Sequence, residues 1–222
     1  MRRNIKKQAR TKSKTTFSLY IVESLEFDDE ARRREGRILR DILRLADHKV
    51  QYTYIRTKRE LEEVLYRFQD SESRYFHLSS HGNNKNIGLT LDRIPFPEFG
   101  EMMRPFLKER RLFVSACEVV NDNLAKEVLP NSGCHSLIGP GYAINFDEAV
   151  LMWASFYHLM FRDPETKAMK GGKIRWALRR VRDAFAGDGV RSDLAYAKPK
   201  DNKEGYRWVD IDEKTDDPSE ID

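Results

Sequence analysis

RYFHLSSHG at residues 74–82 and RLFVSACE at residues 111–118 share one design: a short apolar, β-forming run that ends in small residues and a reactive side chain, His81 or Cys117. Runs of this length read as buried strands. A helical pattern around residues 99–107 lies between them, as the crossover between parallel neighbours requires. If the two strands are neighbours, the side chains at their ends converge.

The same alternation extends in both directions. Upstream, FSLYIVESL at 17–25 reads as a strand, followed by a helix-start signal at Asp28 and Asp29 and by Ile38, Leu39, Ile42 and Leu43 at helical spacing. VQYTYI at 50–55 is the next strand. Thr57-Lys58-Arg59-Glu60 is a capping box, in which the threonine oxygen and the glutamate each satisfy a free backbone N–H, ahead of Leu61, Val64, Leu65 and Phe68 on one face. Downstream, Asn121 or Asp122 opens a helix with Leu124, Val128 and Leu129, and HSLIG at 135–139 is a fifth strand. Asp147 caps a helix through Phe161 that is apolar nearly all round, hence buried.

A last helix, about 173–186, keeps Ile174, Ala177, Leu178, Val181 and Phe185 inside and turns Arg175, Arg179 and Arg182 to solvent. DLAYA and YRWVDI flank the polar DNKEG as a hairpin or edge strand. The expected class is α/β, a mainly parallel central sheet with helices on both faces. Ligand sites in such sheets lie beyond the carboxyl ends of the strands, where His81 and Cys117 stand.

Composition sets the outer bounds. The chain has 222 residues, 40% hydrophobic and 34% charged, with a net charge of +4. One sizeable core is the natural reading. Arg2, Arg3, Lys6, Lys7, Arg10, Lys12 and Lys14 make residues 1–16 a basic tail. Asp212, Glu213, Asp216, Asp217, Glu220 and Asp222 make 212–222 an acidic one, leaving 17–211 as a single domain. The basic arm has no interleaved aromatics before Phe17, and no nucleic-acid motif follows it, so direct nucleic-acid binding is not expected. No apolar run reaches the roughly eighteen residues of a bilayer-spanning helix, and no signal-peptide core follows the basic start. A cytoplasmic location without membrane attachment is expected. Cys117 and Cys134 stand in no Cys/His spacing that frames a structural zinc, so reduced thiols and no metal are expected.

A cysteine beside a histidine is a nucleophile with a proton partner: the thiolate attacks a carbonyl carbon and the imidazolium protonates the leaving amine. The backbone N–H groups of Gly82 and Cys117 are candidate donors to the tetrahedral oxyanion, and glycine after the histidine removes a Cβ where a substrate backbone would approach. His77, within its strand, reads as a core hydrogen-bonding residue, and His48 and His158 as structural or surface groups. Adjacent Cys134 and His135 point to opposite sides of a strand.

HLSSHG followed by LFVSACE resembles the His-Gly and Ala-Cys blocks of the caspase-like (clan CD) cysteine peptidases, and most of all the bacterial CHAT branch, related to separase and metacaspases. LIGPGYAINFDEAVLMWASFYHLMF resembles the strand, turn and buried helix that follow the cysteine block there, so the likeness covers roughly residues 17–186. It implies a caspase-like three-layer sandwich and endopeptidase cleavage without a cofactor, with His81 and Cys117 as the dyad.

The Gln-Ala-Cys-x-Gly form of animal caspases is absent. Ser115 stands where their glutamine helps hold a substrate aspartate, so aspartate specificity is not implied. Gly-Tyr-Ala-Ile-Asn replaces the usual aromatic-proline turn. Asp147 and Glu148 fall where separase-like relatives carry an acid that pairs with a basic residue at the cleavage site, and a helix N-cap with a first-turn acid explains the same residues. The resemblance further implies a protein substrate, a separate activating or sensor protein, and a part in bacterial stress or anti-phage defence. A non-catalytic recognition module on the same fold, or another acyl-transfer enzyme, are the alternatives.

Overall fold

The computed structural model describes residues 18–71, 73–162, 169–187 and 192–213. The basic arm and most of the acidic tail lie outside them. Strands β1 (Ser18–Ser24), β2 (Lys49–Tyr54), β3 (Tyr75–Gly82), β6 (Arg111–Ser115), β7 (Ser136–Pro140), β8 (Leu194–Pro199) and β9 (Tyr206–Trp208) form one sheet in the order β2-β1-β3-β6-β7-β8-β9. The first five are parallel, and β8 and β9 close the edge antiparallel. Short β4 (Asn86–Gly88) and β5 (Arg93–Pro95), which periodicity misses, pair with each other and with the end of β3.

Helices cover both faces, as alternating strands and helices demand. On one face, α3 (Lys58–Asp70), α4 (Phe96–Met103) and α5 (Asp122–Val128) bury Leu61, Leu65, Phe68, Phe99 and Leu124 against Phe76, Leu78, Leu112 and Val114. On the other, α2 (Glu35–Arg44), α6 (Phe146–Phe161) and α7 (Gly171–Phe185) bury Leu39, Leu43, Trp153, Phe156, Tyr157 and Leu178 against Leu19, Ile21, Tyr75 and Phe113. Alternation along a strand sends even residues of β3 and β6 to the first core and odd ones to the second.

Several elements depart from the sequence reading. The signal at Asp28 and Asp29 opens only a four-residue helix, α1 (Phe27–Glu30), and α2 begins afresh at Glu35. Ile38 and Ile42 are exposed while Leu39 and Leu43 are buried. Asn145, rather than Asp147, caps α6, with Glu148 closing the box. That helix is open along Asp147, Leu151 and His158. The arginines of α7 are not a free basic face: Arg175 is buried, Arg179 donates to the Ile211 carbonyl, and Arg182 pairs with Asp212 and Asp183. The capping box at Thr57 and Glu60 forms as read, and β8 and β9 make the expected hairpin. No helix among the described residues is long and apolar enough to cross a membrane.

Gly139 lies where β6 and β7 pack most closely: a Cβ there would stand 2.1 Å from the Val114 carbonyl oxygen, which as backbone cannot swing aside. Gly139→Ala is expected to destabilise the fold by about 1–3 kcal/mol through overpacking, read as a lower urea midpoint at unchanged slope.

Candidate active site

The topology sets the site. The chain leaves β1 for edge strand β2 through α2 on one face, then returns through α3 on the other to β3, on the far side of β1. The strand order reverses between β1 and β3, and crevices at such reversals receive ligands. Parallel β3 and β6 are neighbours, with Ser79 opposite Ser115. Two residues beyond that pair stand His81, still within β3 and against Phe146 at the start of α6, and Cys117, in the turn after β6 with its thiol on the Ile144 carbonyl just ahead of α6. The strands that carry the expected pair are therefore neighbours.

Each side chain is held locally. His81 Nε2 lies 2.9 Å from Asp29 Oδ2, and the ring meets Phe146 edge-on at 5.4 Å between centroids. The other oxygen of Asp29 lies 3.3 Å from Arg33, whose guanidinium also covers Phe146 at 5.6 Å. Cys117 Sγ donates to the Ile144 carbonyl at 3.4 Å and accepts from the Ile144 N–H at 3.5 Å. The thiol is partly exposed.

Beyond the cysteine, Glu118 adopts φ of 59°, a left-handed conformation that costs a non-glycine residue about 1–2 kcal/mol. Its N–H donates to the Tyr142 carbonyl and that of Val120 to the Pro140 carbonyl, so the turn is pinned to the exit of β7. Gly82 also makes room within the protein: a Cβ there would come within 2.4 Å of Val119 Cγ2, in the loop after Cys117.

Asp147 lines a cavity of about 530 Å3 with Arg32, Arg33, Glu35, Ile38, Asn145, Phe146 and Val150. Among the described residues, neither Asp147 nor the Arg32 guanidinium makes a hydrogen bond or ion pair. Glu148 is instead used on the α6 cap, accepting from the Asn145 N–H at 3.2 Å. Ser115 is buried, and its hydroxyl finds no partner among the described residues.

Beneath the site runs a buried polar seam. His77 Nδ1 and Tyr157 Oη are 3.0 Å apart, which gives His77 its core hydrogen-bonding role. Ser79 donates to Glu35 at 3.1 Å. Glu23 accepts from the Gly36 N–H and from the Tyr52 hydroxyl, both at 2.6 Å, and so fixes the start of α2. Burial raises its carboxyl to about 7, with neighbouring Glu35 adding to the shift and the Tyr52 and Gly36 hydrogen bonds opposing it.

With the geometry described, comparison adds the fold. No protein-family model matches the chain, and no curated protein matches it in sequence. Among solved structures it resembles caspase-1 from Spodoptera frugiperda, with a TM-score of 0.51 and 11% identity over 82% of this chain and 88% of that one. This chain has the caspase-like fold. A secreted C11 cysteine protease from Bacteroides thetaiotaomicron, solved with an irreversible peptide inhibitor, aligns at a TM-score of 0.54 and 10% identity over 82% of this chain and 66% of that one. The likeness bears out the expected caspase-like sandwich. Sequence reading missed Asp29 as the partner of His81, since its position before a helical segment pointed only to a helix start.

The two thiols differ in access. Burial pushes the Cys134 thiol up to about 11, so iodoacetamide at pH 7.5 is expected to modify Cys117 alone in the folded protein, and both cysteines after denaturation, by peptide mass spectrometry. The raised Glu23 carboxyl has its own signature. A folded value above the unfolded one means stability is complete below about 4.5 and is lost as pH rises through about 7. The loss amounts to about 3 kcal/mol. Glu23→Gln, which keeps an acceptor for the Gly36 N–H, leaves the Tyr52 hydroxyl an amide NH2 in place of the carboxylate oxygen to which it donates, and cannot ionise, is expected to flatten that fall between pH 5 and 8.5 in urea titrations.

Proposed function

We propose that this protein is a cysteine endopeptidase in which Cys117 is the nucleophile and His81 its proton partner. The observation that carries the reading is the placement of both groups two residues beyond the paired ends of neighbouring parallel strands, Ser79 and Ser115, beside an open cavity. The strained turn at Glu118 supports it, since stored backbone strain clusters at working sites. The fold shared with caspase-1 and with a C11 protease points the same way.

In this reading the Cys117 thiol passes its proton to His81 and sulfur adds to the peptide carbonyl carbon. The oxyanion so formed accepts from the backbone N–H groups of Gly82 and Cys117, donors of a kind worth roughly a hundredfold to a thousandfold in rate. Collapse breaks the C–N bond as His81 protonates the leaving amine, and water then releases the acyl group. The Ile144 backbone, in contact with Sγ at rest, gives way to substrate.

Asp147, whose carboxylate has no partner among the described residues, lines the adjoining cavity and supports recognition of a basic substrate side chain. Glu148 and Ser115 contribute through the cap and the packed sheet. Residues 17–211 act as the peptidase domain of a cytoplasmic effector in a bacterial stress or anti-phage defence system, switched on by a separate sensor or activator.

Terminal-peptide mass spectrometry on cells expressing the native chain or Cys117→Ala, with its genetic neighbours present, tests this. New N-termini are expected only with the native chain. Matching sets under triggering conditions would replace the peptidase with a recognition module. His81→Ala is expected to cut cleavage by about 10²–10⁴. Asp147→Asn is expected to raise KM for peptides with a basic residue at the cleavage site more than for neutral ones.

A further inference from the structure

We propose that Asp29 is a positioning residue, which orients the His81 ring and places its proton on Nε2 so that Nδ1 serves Cys117. The proposal rests on the Cys117–His81 reading above and deepens it. An imidazole offers two distinct nitrogens, and the hydrogen bond made by one decides which carries the proton. A carboxylate only accepts. With Asp29 Oδ2 at 2.9 Å from Nε2, that nitrogen is the donor and Nδ1 keeps the lone pair that takes the thiol proton. On transfer, the positive charge formed on the ring faces the carboxylate, and the same proton leaves from Nδ1 to the departing amine.

The fold provides for this contact. Helix α1 is a single turn with no buried residue and no side-chain cap, far below the length at which a helix stands alone. Its place is set from outside, through Glu30. Arg56 donates to both Glu30 oxygens at 2.8 Å, the Tyr54 hydroxyl donates to one of them at 2.8 Å, and Arg34 Nε holds the Glu30 carbonyl at 2.6 Å. Ahead of the turn, the Thr90 hydroxyl donates to the Leu25 carbonyl at 2.6 Å. These ties leave Asp29 directed at the end of β3.

Asp29 is itself divided between two partners, Oδ2 to His81 and Oδ1 to Arg33 at 3.3 Å. With Phe146 against the ring edge, His81 is held on both sides. The arrangement has the geometry of an orienting acid behind a base, drawn from the loop after β1.

Nitrogen NMR of labelled protein reads the His81 tautomer directly, and iodoacetamide reads Cys117 without any need for a substrate. The native chain is expected to show the Nε2–H form. Asp29→Ala is expected to mix the two tautomers and to slow alkylation of Cys117 at pH 7.5 roughly tenfold or more, with Asp29→Glu restoring part of the rate. Arg33→Ala, which disturbs the same loop but spares the Nε2 contact, is expected to leave the tautomer unchanged, and melting curves show that each variant is folded. An Nε2–H form and an alkylation rate that survive Asp29→Ala would overturn the proposal, even with Cys117-dependent cleavage intact. An Asp29-dependent tautomer in a chain that yields no new N-termini would sustain it while the peptidase reading falls.

Discussion

The parallel pairing of β3 with β6, Ser79 opposite Ser115, is the constraint from which the site follows. Strand side chains alternate, so this register commits Tyr75, His77, Ser79 and His81 to one face of the sheet together with Phe113 and Ser115, with Cys117 in the turn two residues beyond. A slip of one residue on either strand would send His81 and Ser115 to opposite faces. It would also turn Leu112 and Val114 out of the core they share with Phe76 and Leu78. Apolar packing that has no chemical role therefore keeps the reactive pair in register.

The face that carries the pair is mixed in character. At the middle of the strands it is aromatic, with Phe113 packed among Trp153, Phe156 and Tyr157 and its register partner His77 against Trp153 and Tyr157. Toward the carboxyl ends it becomes polar, through Ser79, Glu23 and Glu35. Burying carboxylates is costly unless their oxygens find donors; the Gly36 N–H and Tyr52 serve Glu23 and Ser79 serves one oxygen of Glu35, while Glu35 Oε1, 3.7 Å from His77 Nε2, has no hydrogen-bond partner among the described residues. These bonds tie the N-terminus of α2 to β1 and β3 just behind the loop that bears Asp29. The polar seam thus locates the connection whose Asp29 reaches over to His81.

Much of this was legible in the sequence. Alternating strands and helices, the Thr57 capping box, the two reactive strand ends and the final hairpin all rest on local patterns that the chain expresses within a few residues. The elements that escaped have local signals too weak to register. Strands β4 and β5 have three residues each and exist by pairing, β4 with the end of β3 and β5 with β4. The break between α1 and α2 is made by contacts of Glu30 with Arg56 and of Glu23 with Gly36, partners far apart in sequence. The arginines of α7 looked solvated because their partners, Asp212 and the Ile211 carbonyl, arrive from the end of the chain.

The sequence by itself determined that this chain builds a mainly parallel α/β sandwich and presents a histidine and a cysteine at two strand ends, because periodicity and strand-terminal residues are local properties. Only the tertiary structure decided that those strands are neighbours in matching register, that Asp29 stands behind the histidine, and that Asp147 faces a cavity while Glu148 caps a helix. Strand order, and the side to which a loop folds, are selected by burial over the whole sheet, a sum over distant residues that no single segment records.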